Sequence, residues 1–121
     1  KNSWGRIINI GGLSAHIGGR ERAHVVTSKA ALVGLTKAIS MEFIERGITC
    51  NCVVPGFIED FDTDKKSLEG HWLKHPQTPN LSTGRYGNAE DVAEVISNLC
   101  KKESGYVNGQ VLHVNGGAYT P

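Results

Sequence analysis

The chain has 121 residues, of which 39% are hydrophobic and 21% are charged, with a formal net charge of +1. This length is enough for one domain with a buried core, and the composition is typical of a soluble globular protein. The nearly balanced charge gives no electrostatic reason to expect nucleic acid or an anionic membrane as a partner. No apolar run approaches the roughly 20 residues that a membrane-spanning helix needs.

The cysteines indicate in which cellular compartment the protein resides and whether it binds a metal. Cys50, Cys52 and Cys100 are an odd set without a regular framework, which favours free thiols in a reducing compartment and predicts a cytoplasmic protein. Cys50 and Cys52 lie two apart in a predicted strand and so face the same side of it. A metal site there would need further ligands nearby, and none are evident, so we predict ordinary buried thiols and no metal. Four histidines show no metal-ligand spacing: His16, His71, His75 and His113.

Two strands joined by a long helix are predicted in the first half of the chain. A near-continuous apolar run predicts the first strand, Gly5–Ile10, and suits a strand that is buried on both faces of a parallel sheet. Residues 11–22 are glycine-rich and are predicted to form a loop. The second strand is predicted over residues 48–54. Because one helix separates the two strands, they should be parallel and joined by a right-handed crossover.

The helix is predicted over residues 24–46, since Gly47 then stands where a left-handed cap is usual. At about 100° per residue it carries two apolar faces. One face consists of Leu32, Leu35, Ile39 and Phe43, and the opposite face of Val26, Ala30, Val33, Met41 and Ile44. A surface helix needs only one apolar stripe. The chain has too few helices to cover the second stripe, so we expect a contact between subunits through residues 25–46.

Residues 60–82 are polar and are predicted to be irregular, with a short helix around residues 65–73. Trp72 and Leu73 are candidate pocket-lining residues, and packing of the loop is the favoured interpretation of both. Three aspartates alternate there as in a calcium loop: Asp60, Asp62 and Asp64. The glycine and the distal glutamate that such a loop requires are not at the right spacing. We therefore predict a solvated acidic turn.

A second helix and a third strand are predicted near the carboxyl terminus. The helix is predicted over residues 89–102, with Asn88 as its N-cap and Asp91 completing a variant of the capping box. Its apolar stripe consists of Val92, Val95, Ile96, Leu99 and Cys100. The third strand is predicted over residues 110–114.

Four separated segments resemble, in the right order, the short-chain dehydrogenase/reductase family. They read GRIINI followed by SKAAL, then GITCNCVVPGFIE, GRYGNAEDVAEVISNL and SGYVNGQVLHVNGG. The resemblance covers essentially the whole chain, residues 1–121, as one carboxyl-terminal half-domain. It implies an α/β fold of partial Rossmann type, with three parallel strands and two main helices from a doubly wound sheet. Residues 57–83 would then correspond to the family's substrate-covering segment.

The same resemblance places the family's catalytic residues on this chain. The family lysine falls on Lys29. The family tyrosine lies four residues earlier, at Val25, and the family serine thirteen before that, at Gly12. Neither residue can take part in acid–base chemistry, so the resemblance implies the scaffold of an oxidoreductase without its proton donor. Ser14 and His24 are candidate substitutes, although a turn serine and a solvated histidine are the favoured interpretation of the pair.

The cofactor site implied by the resemblance is incomplete. Lys29 would hold the nicotinamide ribose, and the residues of its other wall would be Pro55, Gly56, Phe57 and Ile58. Asp60 stands where the family often has threonine, and a carboxylate there would repel a pyrophosphate. The glycine-rich phosphate turn that faces a dinucleotide is not in this sequence. We therefore expect no cofactor to bind this chain alone, and NAD or NADP to bind if a missing half completes the site.

Two hypotheses for function follow. In the first, the chain is a catalytically degenerate, non-enzymatic module that survives by self-association. In the second, it is a fragment or subunit of an NAD(P)-dependent oxidoreductase that acts on a carbonyl or alcohol. Either predicts a homo-oligomer through the helix of residues 25–46 or through the exposed edge of Gly5–Ile10, because an uncovered strand edge favours aggregation. A complementing amino-terminal half is the alternative cover for that edge.

Overall fold

Three parallel strands form the centre of the fold: β1 (Gly5–Ile10), β2 (Ile48–Pro55) and β3 (Val111–Val114), in the order β1-β2-β3. The computed structural model describes residues 3–59 and 82–121. Gly5 lies opposite Ile48 at one end of the β1–β2 pair, and Cys52 lies opposite Val111 in the β2–β3 pair. The predicted α/β fold with three parallel strands is confirmed.

In the part of the chain that the structure describes, three helices are arranged around these strands: α1 (Ser14–Ile17), α2 (Ala23–Glu42) and α3 (Ala89–Leu99). The sequence predicted a loop where α1 forms, because one turn is too short for a periodic pattern to show. Short 3₁₀ turns follow α2 at Ile44–Arg46 and α3 at Lys102–Ser104. No helix in the described part of the chain is long and apolar enough to cross a membrane.

The central strand, β2, is the most deeply buried element. Cys50, Cys52, Val53 and Val54 have no exposed surface, and neither has Asn51. The Asn51 side chain satisfies its polar atoms by donating from Nδ2 to the Val107 carbonyl at 2.8 Å and accepting from the Gln110 amide at 3.0 Å. The amide of Asn51 therefore joins β2 to the turn that leads into β3.

The buried face of α2 differs from the prediction. Thr36 and Ser40 are buried, whereas Leu35 is 48% exposed, so the predicted stripe through Leu35 is wrong at that position. Small residues let the helix approach the sheet closely, and the Thr36 hydroxyl accepts from Asn9 Nδ2 of β1 at 2.9 Å. The helix ends at Glu42 rather than at residue 46, but Gly47 adopts the predicted left-handed conformation with φ 65°.

The amino terminus of α3 forms as predicted, and its carboxyl terminus does not. Asn88 accepts a hydrogen bond from the Asp91 amide, and the Asp91 carboxylate accepts one from the Asn88 amide, which completes a capping box. The helix ends at Leu99, three residues early. Cys100 is exposed rather than part of the apolar stripe, whereas Cys50 and Cys52 are buried thiols as predicted.

Several sequence predictions fall on residues 60–81, which lie outside the described part of the chain. These are the helix at residues 65–73, the acidic turn with Asp60, Asp62 and Asp64, and the residues Trp72, Leu73, His71 and His75.

Replacing the Asn51 amide should destabilise the fold. In Asn51→Ala the Val107 carbonyl and the Gln110 amide lose their partners in a buried place, so we predict a loss of about 2–3 kcal/mol in the free energy of unfolding. Urea denaturation measures it. Asn98→Ala on the exposed side of α3 is the matched control, and its effect should be within about 0.5 kcal/mol. Equal losses in the two variants would contradict the role of Asn51.

Candidate functional site

The carboxyl ends of the three strands meet at one edge of the sheet, where parallel α/β sheets bind their ligands. Lys29 reaches this edge from α2. Its ammonium donates a hydrogen bond to the carbonyl of Ile10, the last residue of β1, at 2.9 Å. This bond fixes the position of the Lys29 cation beside the glycine-rich loop that follows β1.

Gly12 lies directly against the stem of Lys29. A Cβ atom built on Gly12 would lie 3.3 Å from Cγ of Lys29 and 3.6 Å from its Cδ. Val25 precedes Lys29 by one helical turn and so lies on the same side of α2. The two positions that the resemblance assigns to the family's serine and tyrosine therefore flank Lys29 with a hydrogen atom and an isopropyl group.

The two candidate substitutes, Ser14 and His24, lie on different helices. Ser14 begins α1, and its carbonyl accepts from the Gly18 amide at 2.9 Å. His24 is exposed in the first turn of α2. Among the described residues, no hydrogen bond joins Ser14 to His24. Their role as a replacement acid–base pair stays a prediction.

The segment after β2 is fixed to the end of β3. The Gly56 amide donates to the Val114 carbonyl at 2.9 Å, and a Cβ atom on Gly56 would lie only 2.5 Å from Cβ of Asn115, so the position admits glycine alone. Phe57 is 5% exposed, and Ile58 forms a parallel bridge with Gly87. The residues from Pro55 to Ile58 therefore lie at the same sheet edge as Lys29.

A cavity of about 330 Å³ opens beside this segment. Its walls come from the ends of β2 and β3, the turn before α3 and the first turn of α3, and include Phe57, Ile58, Arg85, Asp91, His113 and Asn115. Arg85 and Asp91 form a two-pronged ion pair with distances of 2.7 and 2.8 Å. Because each charge is paired with the other, the Arg85 guanidinium is already neutralised within this wall.

The electrostatics of the Arg85–Asp91 pair are set by hydrogen bonds. The Arg85 guanidinium, and then the Asn88 amide, lower the pKa of Asp91 from 3.8 to about 2. The same contact raises the pKa of Arg85. Both groups are therefore charged throughout the physiological range.

The thiols of β2 lie beneath the site but are not reactive groups. Burial raises the pKa of Cys52, opposed by hydrogen bonds from the Gly11 amide and Thr36 and by the charge of Lys29. Burial likewise raises the pKa of Cys50. A thiol with a raised pKa holds little thiolate at neutral pH and is a poor nucleophile. Within residues 3–59 and 82–121, no three His, Cys, Asp or Glu side chains are grouped as metal ligands would be.

Sequence reasoning missed a cluster of three rings at β3. His16 of α1 and His113 of β3 pack with their ring centroids 4.5 Å apart, and Tyr119 lies 5.6 Å from the first and 5.1 Å from the second. Burial, and then the neighbouring His16, lower the pKa of His113. No local pattern could have revealed a contact between residues from opposite ends of the chain.

The residues at the end of β1 fit one part of a dinucleotide. The Lys29 ammonium, held at the end of β1, offers a cation to the hydroxyl groups of a ribose. The glycine-rich loop after β1 leads into α1, a helix of only four residues. Among the described residues, no glycine-rich turn leads from a strand directly to the amino terminus of a longer helix, as a pyrophosphate requires.

Acid should weaken the contribution of Asp91 to the stability of the fold. Its pKa in the folded protein is about 2, below the ordinary value of 3.8, so its stabilisation is present above the ordinary value and is lost as the pH falls through about 2. As the pH falls from 3.8 to about 2, we predict that the melting temperature of Asp91→Asn falls less steeply than that of the wild type. Glu90→Gln, in the same helical turn but without the Arg85 contact, should behave like the wild type. Identical slopes for Asp91→Asn and the wild type would contradict this assignment.

Comparison with known proteins supplies the family context. The family model described as enoyl-(acyl carrier protein) reductase matches residues 1–119. The 3-oxoacyl-(acyl-carrier-protein) reductase of Rickettsia bellii is 44% identical over 116 residues, which cover 96% of this chain and 47% of that protein. The enzyme of the same name from Aquifex aeolicus is 37% identical over 119 residues, with 98% and 47% covered.

A solved structure agrees with these sequence matches. The crystal structure of a short-chain dehydrogenase/reductase from Brucella melitensis, titled a glucose/ribitol dehydrogenase, superposes with a TM-score of 0.83 at 30% identity. The match covers 96% of this chain and 46% of that one. The chain thus spans about half the length of the relatives it matches.

Proposed function

We propose that this chain, which belongs to the short-chain dehydrogenase/reductase family, is the carboxyl-terminal half of a protein that binds a nicotinamide dinucleotide without the family's proton-donating tyrosine and serine. The observation that carries the proposal is the surroundings of Lys29. Its ammonium is held at the end of β1, while Gly12 and Val25 occupy the two flanking positions. The scaffold for binding is retained, and the groups for proton transfer are missing.

The chemistry explains why these two positions matter. Reduction of a carbonyl requires a hydride at carbon and a proton at oxygen, and the loss of one general acid costs about 10²–10⁴ in rate. A bound dinucleotide supplies the hydride. Val25 cannot donate a proton, and Gly12 cannot hold the carbonyl oxygen by a hydrogen bond. In this chain the Lys29 ammonium donates to the backbone carbonyl of Ile10 instead of to a phenol.

Lys29 then has a binding role. An ammonium fixed at the carboxyl edge of the sheet donates hydrogen bonds to hydroxyl groups. Phe57 and Ile58 line the adjoining cavity with apolar surface. These groups would orient the ribose and the nicotinamide once a second half supplies the phosphate site.

An active reductase is the second candidate. The curated relatives at 44% and 37% identity are named 3-oxoacyl-(acyl-carrier-protein) reductases, and this favours a carbonyl substrate of that class. The candidate requires a proton donor other than the residues at positions 12 and 25, and Ser14 and His24 remain the sequence-based suggestions. The buried thiols of β2 favour a reducing compartment such as the cytoplasm.

Restoring the two missing groups tests the proposal. The chain would be combined with the amino-terminal half of the Rickettsia bellii reductase, and reduction of a 3-oxoacyl thioester would be followed by the loss of NADPH absorbance. The double variant Gly12→Ser/Val25→Tyr should raise the rate by at least about 10²-fold, the typical contribution of one general acid. NADPH affinity measured by fluorescence should change little, because Lys29 is retained.

The matched control is Gly12→Ser/Val26→Tyr, which places the phenol one position later on α2 and away from the line through Lys29. It should not raise the rate. A wild-type combination that already reduces the thioester as fast as the double variant would contradict the loss of proton chemistry and favour the second candidate.

Two surfaces support self-association. α2 exposes Leu35 and Met41, at 48% and 72%, and the 3₁₀ turn that follows it exposes Ile44, at 56%. β1 lies at the end of the described sheet and pairs there only with β2, so its other edge is open within the described residues. We propose that a second copy covers the exposed side of α2 and that a complementing amino-terminal half pairs with β1.

Charge on α2 should dissociate such an oligomer. Met41→Glu places a carboxylate in the most exposed of these apolar positions, and burying an unpaired charge in an interface is costly. Sedimentation velocity should show a shift from oligomer to monomer for Met41→Glu and no shift for Ala93→Glu, which adds the same charge to the exposed side of α3. A wild-type chain that remains monomeric at high concentration would contradict the interface.

A further inference from the structure

The ring cluster of His16, His113 and Tyr119 has no part in the proposed function. It connects two elements that are far apart in sequence, since His16 belongs to α1 and His113 to β3. The two imidazole planes meet at 74°, edge to face, and Tyr119 lies against both rings. The cluster is therefore the place where α1 contacts the outer strand of the sheet.

Both imidazoles have a ring nitrogen without a partner. Nε2 of His16 and Nδ1 of His113 are out of contact with solvent and form no hydrogen bond. A neutral imidazole has one donor and one acceptor, whereas the charged form has two donors to satisfy. Burial without a partner therefore favours the neutral form of His113 and lowers its pKa. Two charged rings 4.5 Å apart would also repel each other.

No unpaired carboxylate faces the cluster among the described residues. In the cavity wall beside His113, Asp91 is paired with Arg85. α1 has no acidic residue in its first turn. The charged and titratable groups of the adjoining loop and of the start of α2 are Arg20, Glu21, Arg22, His24 and Lys29, of which Arg20, Glu21 and His24 are exposed. Burial, and then His16, hold the pKa of His113 below 6.5.

The cluster also lies where its opening would affect the candidate site around Lys29. α1 is a single turn that cannot be stable by itself, and Gly12, which touches Lys29, precedes it by two residues. On the other side, His113 leads into the turn at residues 115–117, where the Gly116 carbonyl accepts a hydrogen bond from the Ser82 hydroxyl at 2.9 Å. Separation of His16 from His113 would remove the contact of α1 with β3 and leave α1 packed on α2 alone. This would loosen Gly12 beside Lys29.

We propose that His16 and His113 form a proton-operated latch, in which neutral rings hold α1 closed against β3 and protonation of His113 in mildly acidic solution releases α1 from β3. The direction of the pH dependence follows from the linkage between protonation and stability. Because the pKa of His113 is lowered in the folded protein, the closed state is fully stable above the ordinary histidine value of 6.5. It loses stability as the pH falls from there through the lower value of the folded state. This regulation does not depend on whether the chain reduces a substrate.

Hydrogen exchange of the whole chain tests the latch. Between about pH 8 and about pH 5, the range in which histidines titrate, the α1 amides should lose about tenfold in protection for each unit by which the pKa of His113 is lowered. The rates are corrected for intrinsic exchange. The β2 and α3 amides should keep their protection, which distinguishes opening of α1 from global unfolding.

Ring-preserving variants provide the matched comparison. His16→Phe and His113→Phe keep an aromatic ring at each position but cannot be protonated, and the double variant should keep α1 protected at about pH 5. His24→Phe, outside the cluster, should open as the wild type does. The proposal is wrong if α1 of the wild type is equally protected from exchange at both pH values, or if the double variant opens as readily as the wild type.

A second measurement tests the latch on the wild-type chain if the variants fold poorly. Imidazole resonances of the wild-type chain, followed by NMR against pH, should show His113 titrating below the ordinary histidine value of 6.5, and the resonances of the neighbouring His16 ring should respond to the same step. Titration of His113 at or above the ordinary value would overturn the proposal.

Discussion

The constraint on which the structure depends is the burial of β2 between two parallel neighbours. Parallel strands point the same way, so the pairing of β2 with β1 and with β3 brings the carboxyl ends of all three strands to one edge. Asn51 is buried in the middle of this strand and is acceptable there only because its amide joins β2 to the turn before β3. The cavity, the segment after β2 and the Lys29 ammonium all lie where they do because of this pairing.

At that edge the backbone is tightly specified, while the side chains at positions 12 and 25 have no group that could exchange a proton. Gly56 lies too close to Asn115 for any other residue, and Lys29 is held by the last carbonyl of β1. Neither feature depends on proton transfer. A scaffold of this kind can bind and orient a ligand after its acid is gone, because binding uses cations, shape and backbone contacts, whereas proton transfer needs a titratable atom at the reacting oxygen.

Features encoded by neighbouring residues could be predicted from the sequence. The bounds of the first strand, the left-handed Gly47 and the capping box of Asn88 and Asp91 each depend on a few adjacent positions, and all are confirmed. The expected burial of the first strand on both faces is wrong, because Ile7 and Ile10 are 36% and 41% exposed. Predictions were wrong where tertiary contacts decide. Leu35 is exposed because the sheet accepts the small Thr36 instead, and α1 is held by packing rather than by its own length. The contact of His16 with His113 has no local signal at all.

The central claim is that the whole protein binds a nicotinamide dinucleotide but transfers no proton from positions 12 and 25. The most direct test is a single-turnover comparison between the complemented wild-type chain and the intact Rickettsia bellii reductase, both saturated with NADPH as verified by calorimetry. The account predicts that the complemented chain binds NADPH in the micromolar range and that its reduction rate is at least about 10²-fold lower than that of the intact reductase. Equal rates at equal saturation would contradict it.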